Sequence, residues 1–211
     1  ANYGTDGQVL TSGGAGAAVA WEDAGGFDVS SITGATALDA TPASSDEMVI
    51  SDAGTLKRLD MTHVFNTPNF RAVPSAGINH TTATWTRFPF NKVDGSDTEN
   101  PSYNTDGTYD TSNYRWTPGV TAKYWFCASV VAYGEWEAEQ FAISVYKNGA
   151  NVLKTVQHIE FGYPRSINCS GILNLDNDDY LEVWSYQDSG DTQHVAAYGW
   201  GTFFSAFRLV G

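Results

Sequence analysis

The chain has 211 residues, with 11 Lys and Arg against 24 Asp and Glu, for a formal charge of -13. Hydrophobic residues make up 42% and aromatics 14%, enough to bury a core, which excludes a disordered chain. No stretch approaches the ~18 apolar residues of a membrane span, and the acidic balance argues against nucleic acid, whose phosphates call for clustered Lys and Arg.

The first residues, Ala-Asn-Tyr-Gly-Thr-Asp, show no basic segment followed by an apolar stretch, so no secretory signal is expected and synthesis in a cytoplasm is. Residues 1–65 hold four aromatics, Tyr3, Trp21, Phe27 and Phe65, and nine acids to two bases. Runs such as Gly13-Gly14-Ala15-Gly16-Ala17-Ala18 have too little apolar bulk to offset their ordering entropy alone. This part is expected to be extended and partly β, ordered by contact with other chains. Gly7–Thr11 and Glu47–Ser51 read as short strands, and Asp52-Ala53-Gly54-Thr55 as a turn. The stretch 56–65 reads equally as strand or helical turn.

Residues 66–211 carry the other 25 aromatics and read as all-β. Lys123–Val131, Phe141–Tyr146 and Tyr180–Tyr186 are rich in aromatic and β-branched residues. In the last two, apolar residues alternate with small or polar ones, as in a half-buried strand. Turns are expected at Asp94-Gly95-Ser96, Lys147-Asn148-Gly149 and Asp188–Asp191. Tyr124, Phe126, Ala128 and Val130 share one strand face, and Leu181, Val183 and Ser185 another. Short strands at this spacing predict a sandwich or jelly roll. Cys127 and Cys169 are too few for a disulfide framework and read as small, buried apolar residues, with a Cys127–Cys169 bridge as the lesser reading.

Two resemblances narrow this. Phe88 and Asp94, then Tyr109, Trp116 and the run Ala122-Lys123-Tyr124-Trp125-Phe126, resemble the aromatic signature of the complement 1q and tumour-necrosis-factor jelly rolls. Tyr146–Gly149 is similar to the family's hairpin, Leu173–Val183 to a strand pair, and Thr202–Leu209 to the closing strand. Trp116 stands in place of Phe, Ala122 and Asp178 in place of Gly, and residues 95–108 are extra. The resemblance implies a jelly-roll knob over 66–211 that forms a homotrimer, with Trp116, Tyr124, Phe126, Phe203 and Phe207 as core or trimer aromatics. The second resemblance is Gly4-Thr5-Asp6-Gly7-Gln8-Val9-Leu10-Thr11-Ser12-Gly13 through Trp21, which is similar to a motif of bacteriophage tail fibres and other virion fibre proteins. It implies that residues 1–65 attach to other virion proteins, with Gly7, Gln8, Val9, Leu10 and Trp21 as attachment residues, and that the protein resides on a virion made in a bacterial cytoplasm.

Candidate chemistry is sparse. Asp176, Asp178, Asp179 and Glu182 are hard oxygen ligands of the kind calcium takes, but they do not match an EF-hand loop and read as a solvated turn, so no metal is expected. His63, His80, His158 and His194 are dispersed. Nucleophile-elbow, zinc-protease and phosphate-loop motifs are missing from the sequence, so neither catalytic residues nor a cofactor are expected. Trp136, between Glu135 and Glu137, and Trp200, between Gly199 and Gly201, are candidates for stacking on a sugar. The expected protein is a non-enzymatic trimeric tail or capsid fibre whose knob contacts a host-surface glycan or protein. The alternatives are a capsid decoration protein and a secreted complement-like binding module.

Overall fold

The structure is a computed structural model describing residues 4–23, 36, 38–40, 42–43, 45–96, 101–132, 137–160 and 165–209, the side chains of Thr62 and Glu139 excepted. The chain forms two compact units, Ala1–Ala43 and Ser44–Gly211. In the first, β1 (Gln8–Thr11) and β2 (Ala20–Asp23) pair as an antiparallel hairpin with Leu10 opposite Trp21.

The second unit opens with the hairpin of β3 (Glu47–Asp52) and β4 (Thr55–Asp60). Its turn places Ala53 at φ 50° and Gly54 at φ 86°, the left-handed pair that a two-residue hairpin needs. A 3-10 turn follows over Met61–His63. The stretch with two sequence readings is therefore both, strand to Asp60 and helical turn after it.

Six short strands come next: β5 (Asn69–Ala72), β6 (Ile78–His80), β7 (Thr86–Arg87), β8 (Tyr103–Asn104), β9 (Tyr109–Asp110) and β10 (Arg115–Trp116). The longer ones are β11 (Ala122–Ala132), β12 (Ala138–Lys147), β13 (Ala150–Ile159), β14 (Arg165–Leu175) and β15 (Leu181–Gln187), before β16 (Gln193–Ala196) and β17 (Phe203–Leu209). They make two antiparallel sheets. One runs β13-β12-β15-β10-β9, with β7 also on β15. The other runs β6-β16-β11-β17-β5-β8, with β14 on the opposite edge of β11.

Alternation decides which side chains lie between the sheets. Tyr124, Phe126, Ala128 and Val130 point inward from β11, and Leu181 and Val183 from β15, all buried. They meet Phe70, Phe88, Phe90, Tyr109, Trp116, Phe141 and Phe204 in one core. Trp116 stands edge-on to Tyr124 at 5.0 Å, and Phe70 stacks on Tyr109 at 4.7 Å, both favoured ring geometries. The polar ends are satisfied. Trp116 Nε1 donates to Thr108 Oγ1 at 2.9 Å, Tyr109 O–H to the Phe90 carbonyl at 2.9 Å, and Tyr124 O–H to the Val120 carbonyl at 2.7 Å. Burial pushes the Tyr124 phenol up to about 12.

The positions where the sequence departs from the jelly-roll pattern are accommodated without strain. Ala122 and Asp178 do not have positive φ, so no glycine is required there. Cys127 and Cys169 are both free. Register pairs Cys169 with Ala128 and Cys127 with Ser170, so the two thiols leave the sheet on opposite faces. Among the described residues, no helix is long and apolar enough to cross a membrane.

Candidate interaction surface

The outward side of the seven-stranded sheet is built from the residues between the inward ones. Register lines them up across strands. One row holds Ile172 of β14, Trp125 of β11, Phe207 of β17 and Asn69 of β5. The next holds Ser170, Cys127, Ser205, Arg71 and Tyr103, and a third Asn168, Ser129 and Phe203. The Trp125 and Phe207 rings lie 5.1 Å apart. Ile172 beside them is 61% exposed and Tyr103 46%. Arg71 stacks over Phe203 at 4.0 Å and donates from Nη2 to the Gly199 carbonyl at 2.7 Å. Burial lowers its affinity for a proton. The five aromatics drawn from the jelly-roll resemblance thus separate. Trp116, Tyr124 and Phe126 fill the core, whereas Phe203 and Phe207 stand half-buried on this outer face. The core ring of β17 is Phe204, one position away.

At one end of the same sheet, the turn between β16 and β17 presents Trp200, 66% exposed, stacked on Tyr198 at 5.4 Å and 16°. The turn is firmly held. Gly201 and Thr202 N–H both donate to the Tyr198 carbonyl, and Thr202 Oγ1 donates to the Ala196 carbonyl. A Cβ on Gly201 would lie 2.5 Å from Val131 Cγ2, so glycine lets the turn sit against β11. Trp136, the other candidate, lies outside the described residues.

The acidic turn after β14 is occupied by protein contacts. Asp179 accepts from Lys147 Nζ at 2.6 Å, from Asn148 Nδ2 at 2.6 Å and from the Asp176 N–H at 2.7 Å. Glu182 points the other way from Leu181, out of the six-stranded sheet, and is only 2% exposed. Its Oε2 accepts from Arg115 Nε at 2.9 Å and Arg87 Nη1 at 3.3 Å, and its Oε1 from Trp184 Nε1 at 3.1 Å. Burial alone would raise both carboxyls, but these donors outweigh it and hold both below the ordinary carboxylate range. Two of the four acids named from sequence therefore already serve protein cations.

The fibre-like motif folds as a closed local unit. Gln8 N–H donates to the Thr5 carbonyl at 3.0 Å, and Thr5 N–H donates back to Gln8 Oε1 at 3.0 Å. Gly4 sits at φ 71°, and a Cβ there would lie 2.8 Å from the Trp21 ring, so any other residue would be strained and would displace the ring. Gly7 takes φ 91°. Val9, Leu10 and Val19 remain exposed. The motif's Gly, Gln and Trp thus fix the hairpin, and its aliphatic residues are left to solvent, Leu10 on the Trp21 face and Val9 on the other.

Sequence reading did not single out Arg71, Arg87 or Arg115. The last two reach Glu182 through the pairing of β10 and β7 with β15, for which the sequence offers no local signal.

No protein-family model matches the chain, and no characterised protein matches it by sequence. Solved structures do. Murine APRIL, in its crystal structure at pH 5.0, is similar with a TM-score of 0.50 and 12% identity, over 67% of this chain and 98% of that one. Eiger, a TNF of S. frugiperda, matches at 0.45 and 12% over 67% and 90%. The globular domain of zebrafish complement 1qA protein matches at 0.44 and 13% over 67% and 96%. The likeness to APRIL, with the strand order above, makes the fold a jelly-roll sandwich, as the resemblance led us to expect.

Proposed function

We propose that this chain is a non-enzymatic binding module that assembles as a homotrimer through the outward side of its seven-stranded sheet, and that residues 1–65 attach it to a virion as part of a fibre. The observation that carries the assembly is the aromatic row on that side. Ile172, Trp125 and Phe207 lie across three adjacent strands, with Phe203, Arg71 and Tyr103 beside them. Contiguous apolar surface in the middle of a sheet marks an interaction site, and closed rotational symmetry is how identical chains cover such a patch. The core needs none of these residues.

What favours the fibre is the Gly4–Trp21 hairpin. Two strands alone are marginal in water, so a hairpin with Val9, Leu10 and Val19 exposed gains from contacts that other chains supply. The fold likeness by itself fits a complement-like binding module equally well, and the motif carried by this hairpin is what favours the fibre.

Light scattering on the full chain tests the assembly. A mass of three chains is expected, and W125E/F207E is expected to give a monomer with unchanged far-ultraviolet circular dichroism. A parent that is monomeric at micromolar concentration refutes it. Attachment is tested separately, by comparing incorporation of the parent and V9D/L10D into particles. Equal incorporation would remove the role given to the hairpin.

A further inference from the structure

The outward side of the six-stranded sheet carries a second surface of different chemistry. One row runs Lys154, Ser144, Trp184 and Arg87 across β13, β12, β15 and β7. Beside it runs Val156, Ala142 and Tyr186, and on the other side Tyr146, Glu182 and Arg115. Trp85 lies 5.3 Å from Tyr186, and Tyr146 lies 5.5 Å from Trp184. Ala142 and Ser144, in the middle, alternate with inward Phe141, Ile143 and Val145 and so face outward, yet both are fully buried. Small outward residues reach zero exposure only under a roof of neighbouring side chains. The flanking rings of Trp85, Tyr146, Trp184 and Tyr186 are themselves half-buried.

Cations bracket these rings. Lys154 Nζ stands 5.5 Å over Trp85, and the Arg115 guanidinium stands 4.2 Å over Tyr180. Glu182 fixes Arg87 and Arg115 with one buried carboxylate between them. Asp110, across from Arg115, spends its own carboxylate on Ser112 and Asn113. Three cations, Lys154, Arg87 and Arg115, thus stand against two carboxylates, Glu182 and Asp110, and Lys154 is the cation that neither carboxylate holds.

We propose that this face binds an acidic polysaccharide, a chain of carboxylated sugar units, with pyranose rings on Trp85, Tyr186 and Trp184 and carboxylates reaching Lys154 and Arg87. Aromatic faces accept the C–H side of a sugar ring. Guanidinium and ammonium groups take carboxylates through charge-assisted hydrogen bonds, and guanidinium groups already held by Glu182 lose less freedom on binding. A neutral glycan would cover Lys154 without giving it a counter-charge. The inference rests on reading the chain as a binding module and does not depend on its assembly.

The full chain is titrated with oligogalacturonate, and with malto-oligosaccharide of the same length as the neutral control, following tryptophan fluorescence. Saturable binding is expected for the first alone, weakening with salt because charges at the surface are screened. K154Q, at an exposed position, and W85A are each expected to weaken binding about tenfold, the value of one lost contact, with melting unchanged in K154Q. Absence of saturation, equal binding of the neutral chain, or parental affinity in both variants overturns the proposal. Light scattering on the same samples keeps the two readings apart, since a monomer that still binds oligogalacturonate refutes the trimer and supports this site.

Discussion

Replacing Glu182 by glutamine should lower stability at neutral pH and leave it nearly unchanged in acid. The carboxylate accepts three hydrogen bonds, from Arg115, Arg87 and Trp184. A bond to a charged donor contributes ~1.5–3 kcal/mol when buried. The Arg115 and Arg87 side chains are 37% and 31% exposed, so solvent discounts each to about 1 kcal/mol. Glutamine keeps one acceptor for Trp184 but turns an amide N–H toward a guanidinium, adding about 1 kcal/mol for a buried donor without a partner. The net loss is ~2–3 kcal/mol, or a fall of about 4–12 °C in Tm for a unit of this size. Because Glu182 is held below the ordinary range, its stabilisation is fully present above ~4.3, the value in an unfolded chain, and is lost as pH falls through the lower folded value. The assay is thermal unfolding of parent and E182Q at one protein concentration, since association makes Tm concentration-dependent. Equal melting at pH 7, or a gap that persists undiminished in strong acid, refutes the reasoning.

Phe126, buried in the core opposite Gly171, should cost ~3–5 kcal/mol when cut to alanine, read from the denaturant midpoint, because the sandwich cannot collapse onto the space. Calcium should leave the melting temperature unchanged, and so should a chelator. Asp179 and Glu182 are held by Lys147, Arg87 and Arg115, and a rise of many degrees on adding calcium would contradict that pairing.

Three of the long strands, β11, β12 and β15, were legible because alternation needs only neighbours in sequence. In β11, each second residue from Tyr124 to Val130 is apolar, and each is buried. The knob type was legible through a resemblance, that of the run from Phe88 to Phe126 to the jelly-roll signature, and Phe88, Tyr109, Trp116, Tyr124 and Phe126 of that run all meet in the core. The outer surfaces were less so. Phe203 and Phe204 are adjacent and chemically alike, and only the register of β17 against β11 decides that Phe204 enters the core while Phe203 faces out. Two-residue strands such as β7 and β10 carry no period at all. They exist because β15 supplies their hydrogen bonds, and they are what bring Arg87 and Arg115 to Glu182. Trp85 reaches Tyr186 the same way, across ~100 residues of chain, a distance that no local pattern encodes.

β11 pairs along its whole length with β14, but its other edge is closed by β17, beside Lys123–Ser129, and by β16, beside Val131 and Ala132. The strand at the centre of the sheet therefore waits, during synthesis, for about seventy more residues before its second neighbour emerges. Until then it offers a long, aromatic-rich, unpaired edge, the kind that recruits another strand. The row of Ile172, Trp125 and Phe207 is likewise incomplete until β17 is laid down. On the proposed assembly, folding of each chain precedes its recognition by its copies, and a ribosome product cut short before Phe203 would have an edge to aggregate through and no face to assemble by.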